Sequence, residues 1–124
     1  MKKLIVDLDN TITRESEASY KDKPVNKDVV ARLVEYKAMG FAIVIFTARN
    51  MRTHEGNVGK INIYTLPTII NWLDEHDVPY DEIIVGKPWC GNEGFYVDDR
   101  AIRPSEFISK SFDELTTLVE SEKI

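Results

Sequence analysis

The sequence predicts an α/β fold: a single Rossmann-like three-layer domain with about five parallel strands and helices on both faces. Short, solid apolar runs alternate along the chain with stretches of helical periodicity, as expected for a parallel sheet covered on both sides. The length of 124 residues suits one domain, residues 1–124. With 43% hydrophobic and 30% charged residues, the composition is that of a soluble globular protein.

The first half of the predicted fold is a strand, a helix and a second strand. Residues 4–6 are a short apolar run that predicts a buried strand. Asn26 can cap a helix over residues 27–39, and Gly40 suits the position just beyond its end. The continuous apolar run over residues 41–46 predicts a second buried strand. The side chains expected on the inner face of the helix are Val30, Leu33, Val34, Tyr36 and Met39.

The second half continues after a polar, glycine-containing loop, which is expected over residues 47–64. Pro67 suits the first turn of a helix that runs to about Glu75. Ser111 and Glu114 can form a capping box for a final helix. The side chains of this helix that are expected to face inward are Leu115, Leu118 and Val119. The remaining strands are expected at residues 83–85, at residues 95–97 and, as a short extended piece, at residues 107–108.

Charge and composition argue against several classes of function. The formal net charge of -5 disfavours nucleic acid as a partner, because phosphate backbones require a basic face. The apolar run after Lys3 stops at Asp7, short of the roughly 7–15 residues of an export signal. No run approaches the ~18–20 apolar residues of a membrane span. One cysteine, Cys90, cannot form an internal disulfide. We therefore expect a cytoplasmic protein.

Charged and hydroxyl side chains follow four of the predicted strands at the point where each strand ends. In the order of the strands they are Asp7 with Asp9, then Thr47, then Lys87, and then Asp98 with Asp99. In parallel α/β sheets, ligands bind beyond the carboxyl ends of the strands. Carboxylates that lie close together repel one another unless a hard cation such as Mg²⁺ neutralises them.

These residue types suit phosphoryl transfer through a covalent intermediate. A carboxylate can attack phosphorus, and a second carboxyl group two residues away can protonate the leaving alcohol and later activate water. A metal ion removes the repulsion between the anionic nucleophile and the phosphate. A lysine adds a fixed positive charge, and a hydroxyl group donates to a phosphate oxygen.

Four short motifs of this chain resemble, in the same order, those of the haloacid dehalogenase-like hydrolase superfamily. They are Asp7-x-Asp9-Asn10-Thr11, Thr47, Lys87 and Asp98-Asp99. The resemblance spans residues 4–100. It implies that Asp7 is the nucleophile, that Asp9 is the general acid and base, and that Thr47 and Lys87 hold phosphate oxygens. It also implies that Mg²⁺ is bound by Asp7, the backbone carbonyl of Asp9 and Asp98. Asp99 would be a further ligand or a residue that supports one.

More narrowly, the chain resembles the small phosphatases associated with bacterial capsule polysaccharide biosynthesis. The segments that carry this resemblance run from Phe46 to Arg52, Asn57 to Lys60, Val85 to Cys90 and Gly94 to Arg100. The resemblance implies a sugar-phosphate substrate. Short gaps between the motifs predict a core without a cap domain, so that loops or a neighbouring subunit must select the substrate, which leaves a homo-oligomer open. The expected substrate contacts are Asn10, Ala48, Arg49, Arg52, His54 and Lys60.

Other interpretations stay open beside the phosphatase. A phosphoacceptor receiver domain, a signalling module, combines the same residue types, but its acidic pair follows the first strand and its phosphorylated aspartate a later one. A carboxylate-metal nuclease would not need a lysine and a threonine in these places. As purely structural features, Asp7 and Asp9 could cap the next segment, Thr47 could cap a turn, and Asp98 with Asp99 could form a surface turn. Arg49, Arg52 and Lys60 are individually ordinary surface charges.

Overall fold

The computed structural model describes residues 2–123 and divides the chain into two compact units, Met1–Trp89 and Cys90–Ile124. The first unit holds three parallel strands, a short 3-10 helix at Tyr20–Asp22 and three α-helices. The second unit holds two short α-helices. The prediction of an α/β protein with a parallel sheet is therefore confirmed. Within the residues described, no helix is both long enough and apolar enough to span a membrane.

The sheet consists of β1 (Lys3–Val6), β2 (Ala42–Thr47) and β3 (Glu82–Val85), with β2 in the centre. Val6 pairs with Ile45, and Val85 pairs with Thr47, so the carboxyl ends of the three strands lie at the same end of the sheet. β2 is almost entirely buried, as predicted. β1 alternates exposed and half-buried residues, so the prediction of a buried strand is wrong there. β3 lies where the third strand was predicted and shows the same alternation. Each is an edge strand, where fewer side chains cover the sheet.

The first helix, α1 (Lys27–Ala38), has the predicted ends. The side-chain oxygen of Asn26 accepts a hydrogen bond from the backbone N–H of Val29 at 3.3 Å, and Gly40 has a φ of +94°. The buried residues are Val29, Leu33 and Tyr36. The predicted inward positions Val34 and Met39 are wrong, because both are exposed. At 3.6 residues per turn, Val34 lies about 140° round the helix from the centre of the buried face.

A further helix, α2 (Val58–Tyr64), corrects the prediction of a loop over residues 47–64. The side-chain oxygen of Asn57 caps it by accepting a hydrogen bond from the backbone N–H of Lys60 at 3.1 Å. Ile61 is fully buried and anchors the helix. The sequence did not predict this helix, because Gly59 lies in its first turn and the segment has little apolar periodicity. The next helix, α3 (Leu66–Glu75), is confirmed, with Pro67 in its first turn.

The second unit contains α4 (Pro104–Ser109) and α5 (Phe112–Glu120). The capping box of α5 is confirmed: Ser111 Oγ accepts from the N–H of Glu114 at 3.1 Å, and the N–H of Ser111 donates to Glu114 Oε1 at 2.9 Å. Leu115 is buried, and the other predicted inward residues are half-buried. The predicted strand at residues 107–108 is wrong, because these residues lie inside α4. Pro104 favours helix at its first turn.

No strand is assigned to residues 95–97, where the fourth was expected. Phe95 is 80% exposed and Val97 is 88% exposed. Gly94 ends a turn in which a Cβ atom would lie 2.3 Å from the carbonyl oxygen of Cys90, so no larger residue fits there. A strand forms only where a neighbour supplies backbone hydrogen-bonding partners, which a three-residue run cannot specify. Within residues 2–123 the sheet thus has three strands, where about five were predicted.

Asp81, just before β3, connects three elements of the first unit. Its Oδ2 accepts a hydrogen bond from the N–H of Ile43 in β2 at 2.8 Å, and its Oδ1 pairs with Lys37 Nζ of α1. The hydrogen bond from Lys37 and then the one from Ile43 lower the pKa of Asp81 below the ordinary value of 3.8. A carboxyl group whose pKa is lowered by folding stabilises the protein above its unfolded-state pKa. That contribution is lost as the pH falls through the folded-state pKa.

We therefore expect Asp81→Asn to melt at a lower temperature than the unchanged protein at pH 7. The difference should shrink as the pH falls from about 5 towards 2, because the native carboxyl group is then protonated as well. Thermal melts followed by circular dichroism across this pH range measure the effect. The matched control is Asp77→Asn, at an exposed position whose φ of 53° suits Asn. A difference that stays constant with pH would contradict the prediction.

Candidate active site

Asp7 directly follows β1, and its carboxylate faces two donors. Thr11 Oγ1 donates a hydrogen bond to Oδ2 at 3.0 Å, and Lys87 Nζ lies 3.4 Å from Oδ1. The Asp7 side chain is partly exposed, so a ligand can reach it from solvent. The carboxylate thus lies beside a fixed positive charge and a hydroxyl group at the carboxyl edge of the sheet.

The turn after Asp7 is built around the carbonyl of Leu8. This oxygen accepts hydrogen bonds from the N–H groups of Thr11, Ile12 and Thr13 at 2.9–3.3 Å, and the Leu8 side chain is fully buried. Asn10 has a φ of 61°, in the left-handed region that Asn tolerates better than most residues. Its N–H donates to Thr13 Oγ1 at 2.9 Å. The tight turn keeps both Asp7 and Asp9 at the end of β1.

Lys87 follows β3 by two residues and contacts Asp7 across the end of the central strand, β2. Its backbone N–H donates to the carbonyl of Thr47 at 3.1 Å, which extends the β2–β3 pairing beyond the strand. Gly86 has a φ of +89°, and a Cβ atom there would lie 3.0 Å from Val58 Cγ2. The position therefore favours glycine, both for its backbone conformation and for its close contact with α2.

Asp9 forms a two-bond ion pair with Arg49, the second residue after β2. Arg49 Nη2 donates to Asp9 Oδ1 at 2.8 Å, and Nε donates to Oδ2 at 3.1 Å. The Asp9 side chain is 35% exposed, whereas that of Arg49 is 1% exposed. The interpretation of Arg49 as a surface charge is therefore wrong. The ring of Tyr20 covers the guanidinium group, whose central carbon lies 4.2 Å from the ring centroid.

Thr47 is buried at the end of β2. Its Oγ1 accepts a hydrogen bond from the N–H of Arg49 at 3.1 Å, so the hydroxyl group supports the turn that places Arg49. This contact matches the structural alternative for Thr47. A hydroxyl group that accepts one hydrogen bond can still donate its own proton. Its donation to a phosphate oxygen therefore stays a prediction.

Two of the other predicted substrate-binding residues of the first unit lie against aromatic rings. The guanidinium carbon of Arg52 lies 5.9 Å from the ring centroid of Trp89. His54 stacks on Tyr64 with ring centroids 5.8 Å apart. Lys60 is exposed in the first turn of α2, and Ala48 is half-buried between Thr47 and Arg49. The role of these residues in substrate binding stays a prediction.

Asp98 and Asp99 are exposed residues of the second unit. Asp98 Oδ1 accepts a hydrogen bond from the N–H of Arg100 at 2.8 Å, the geometry of the surface turn that was left open as an alternative. Among residues 2–123, no group of three or more His, Cys, Asp or Glu side chains could hold a metal ion. In the first unit, Asp7 and Asp9 supply hard oxygen atoms of the kind that Mg²⁺ prefers. The Mg²⁺ site stays a prediction.

The structure adds two residues to those that the sequence singled out. Thr11 lies inside the first motif, and its spacing of four residues from Asp7 in a turn could have indicated the hydrogen bond. Tyr20 lies in the irregular stretch after that motif, and its sequence context carries no signal for a contact with Arg49. The predicted residues that these contacts connect are Asp7, Asp9, Thr47, Arg49 and Lys87.

The chain is similar to known protein structures. No protein-family model matches it, and no curated protein matches it. It is 63% identical to an MCSG target protein from Vibrio cholerae whose crystal structure is known, with a TM-score of 0.97 over 99% of this chain and 100% of that chain. The two proteins belong to the same family. The Vibrio cholerae protein thus shares the fold of this chain along its whole length.

A second solved structure is much more distant. A chain in the Pnkp1/Rnl/Hen1 complex is 18% identical and has a TM-score of 0.50. The match covers 89% of this chain and 35% of that chain. At this level of identity the similarity concerns the fold alone. Unlike the match to the Vibrio cholerae protein, it says nothing about membership of a family.

Proposed function

We propose that the protein is a Mg²⁺-dependent phosphatase that hydrolyses a phosphate monoester through an aspartyl-phosphate intermediate on Asp7. The observation that supports this proposal best is the carboxylate of Asp7 at the end of β1, with Lys87 Nζ at 3.4 Å and Thr11 Oγ1 at 3.0 Å. A second carboxylate, Asp9, lies two residues further along the same turn. A nucleophile beside a cation, with an acid–base group next to it, is the arrangement that the reaction requires.

In the first half of the reaction, an Asp7 oxygen attacks phosphorus and the bond between phosphorus and the ester oxygen breaks. The carboxyl group of Asp9 gives its proton to the leaving oxygen. The ammonium group of Lys87 offsets the negative charge that Asp7 and the phosphate bring together. The hydroxyl group of Thr47 donates a hydrogen bond to a phosphate oxygen.

In the second half, water attacks the phosphorus of the aspartyl phosphate. The bond between phosphorus and Asp7 breaks, and its electron pair returns to the carboxylate. Asp9, now ionised, takes a proton from the attacking water and is ready to act again as an acid. The two halves together release an alcohol and inorganic phosphate and leave the protein unchanged.

The donor chemistry of the first unit fits Mg²⁺, because Asp7 and the backbone carbonyl of Asp9 would supply hard oxygen ligands. The sequence motifs further imply Asp98 as a ligand, with Asp99 as another ligand or as a residue that supports one. A bound Mg²⁺ would neutralise charge between the nucleophile and the phosphate. The proposal thus keeps the ligands that the sequence motifs imply.

A small phosphorylated substrate is proposed, a sugar phosphate of surface polysaccharide biosynthesis in the cytoplasm. Arg52 next to the partly exposed ring of Trp89 supports this choice, since charged donors bind hydroxyl groups and aromatic rings cover sugar faces. The proposed fold is a Rossmann-like three-layer domain without a cap domain. The other proposed substrate contacts are Asn10, Ala48, His54 and Lys60.

Phosphate release from a panel of esters tests the function. The panel combines sugar phosphates with a small aryl phosphate and is run with Mg²⁺, with chelator, and with chelator followed by excess Mg²⁺. We expect repeated turnover with Mg²⁺, loss of turnover with chelator, and recovery when Mg²⁺ is restored. Full activity in metal-free buffer would contradict the mechanism. A stable phosphoprotein without turnover would instead indicate a receiver domain, and cleavage of nucleic acid would indicate a nuclease.

A further inference from the structure

The carboxylate of Asp9 is held at both of its oxygens by one side chain. Arg49 Nη2 and Nε donate to Oδ1 and Oδ2 at 2.8 and 3.1 Å, which makes a two-bond fork. This geometry fixes the rotation of the carboxylate as well as its position. A lysine in the same place would supply a point charge without fixing that rotation.

Arg49 is itself held in place from two directions. Its backbone N–H is bonded to Thr47 Oγ1 at 3.1 Å, and its guanidinium group lies 4.2 Å from the centroid of the Tyr20 ring. Its Nη1 atom is buried and has no hydrogen-bond partner among residues 2–123. The polar contacts of the guanidinium group are therefore made on the edge that faces Asp9.

We infer that Arg49, covered by Tyr20, is a positioning residue that holds Asp9 as an oriented carboxylate for the breakdown of the aspartyl phosphate. This inference rests on the proposed phosphatase function. It replaces the expectation that Arg49 contacts the substrate, because its side chain is 1% exposed and paired with Asp9.

The pairing suits that half of the reaction in particular. Breakdown begins with Asp9 ionised: the oxygen of water bonds to phosphorus, the bond from phosphorus to Asp7 breaks, and one water proton passes to Asp9. A guanidinium group has only hydrogen-bond donors, so it can orient both oxygens of Asp9 without accepting the proton of the attacking water. Phosphoryl transfer from an aryl ester makes no such demand, because its leaving group needs no proton.

The test is the variant Arg49→Lys with an aryl phosphate in a rapid-quench experiment. The positive charge remains, but the fork is lost. We expect breakdown to slow by roughly tenfold or more, the scale of one charged hydrogen bond, while formation of the intermediate keeps its rate. Release of the aryl alcohol should then show a burst that approaches one equivalent per site. Acid quenching should trap more phosphoprotein than with the unchanged protein.

Two further variants sharpen the result. Tyr20→Leu removes the ring over the guanidinium group and should give a smaller burst of the same kind, whereas Tyr20→Phe keeps the ring and should not. Arg32→Lys, in the exposed pair of Arg32 with Glu35 on α1, is the matched control and should leave both steps unchanged. If Arg49→Lys fails to fold, as judged by circular dichroism, the two Tyr20 variants decide the question.

The possible outcomes separate the inference from the function on which it rests. If the unchanged protein shows no Mg²⁺-dependent turnover, the proposed function fails. If it turns over but Arg49→Lys slows formation and breakdown equally, the arginine has only a structural role and the inference is overturned. Unchanged kinetics in Arg49→Lys would overturn it as well.

Discussion

Asp7→Asn should lower kcat by more than about 10⁴-fold, to the background rate, with every phosphate ester. The amide has nearly the shape of the carboxylate and can still accept a hydrogen bond from Thr11, so the fold should persist. What is lost is the atom that attacks phosphorus and, in the proposed site, a charged ligand for Mg²⁺. No phosphoprotein should be trapped by acid quenching, in contrast to the unchanged protein.

The matched control is Asp28→Asn, which makes the same substitution at an exposed aspartate in the first turn of α1. Its hydrolysis rate should equal that of the unchanged protein. Both variants are compared by thermal melting before the kinetic measurements, so that loss of structure is not mistaken for loss of chemistry. A normal rate in Asp7→Asn would show that another residue is the nucleophile.

Asp9→Asn should produce a loss that depends on the leaving group. General acid–base catalysis is typically worth ~10²–10⁴-fold, so formation of the intermediate from an alkyl or sugar phosphate should slow by about that factor. Formation from an aryl phosphate should change little, because an aryloxide leaves without needing a proton. Breakdown should slow with every substrate, since the same residue activates water.

Single-turnover measurements with a matched pair of alkyl and aryl esters separate these steps. With the aryl ester, Asp9→Asn should also show a burst, and breakdown of the intermediate should be slower than in Arg49→Lys, because Asp9→Asn removes the base whereas Arg49→Lys only loosens it. Equal losses with both esters in the first step would mean that Asp9 does not protonate the leaving group. The alternative role would then be support of the turn that carries Asp7.

Short-range features of the fold could be predicted from the sequence because both partners lie within a few residues of one another. The Asn26 cap of α1 and the Ser111–Glu114 capping box of α5 are of this kind, and both are confirmed. The order of charged residues after the strands likewise predicted where Asp7 and Lys87 would lie. Parallel strands place their carboxyl ends together, so order along the chain became proximity in space.

The extent of the sheet could not be predicted in the same way. Residues 95–97 have the composition of a strand, and residues 107–108 were expected to be extended. The structure assigns no strand to the first segment and places the second in α4. Whether an apolar segment becomes a strand depends on an available edge elsewhere in the fold, and no local pattern records that edge.

At the candidate site, the sequence by itself determined the residue types and the strand ends from which they project: Asp7 and Asp9 after β1, Thr47 after β2 and Lys87 after β3. The tertiary structure alone decided how they pair. Arg49 and Asp9 are 40 residues apart, and Lys87 and Asp7 are 80 apart, so only the folded sheet brings each pair into contact. The ring of Tyr20 lies over the guanidinium group of Arg49, a contact between residues 29 positions apart that only the fold creates. The local sequence does not distinguish an exposed charged residue from a buried one, because burial depends on the residues that are its neighbours in space.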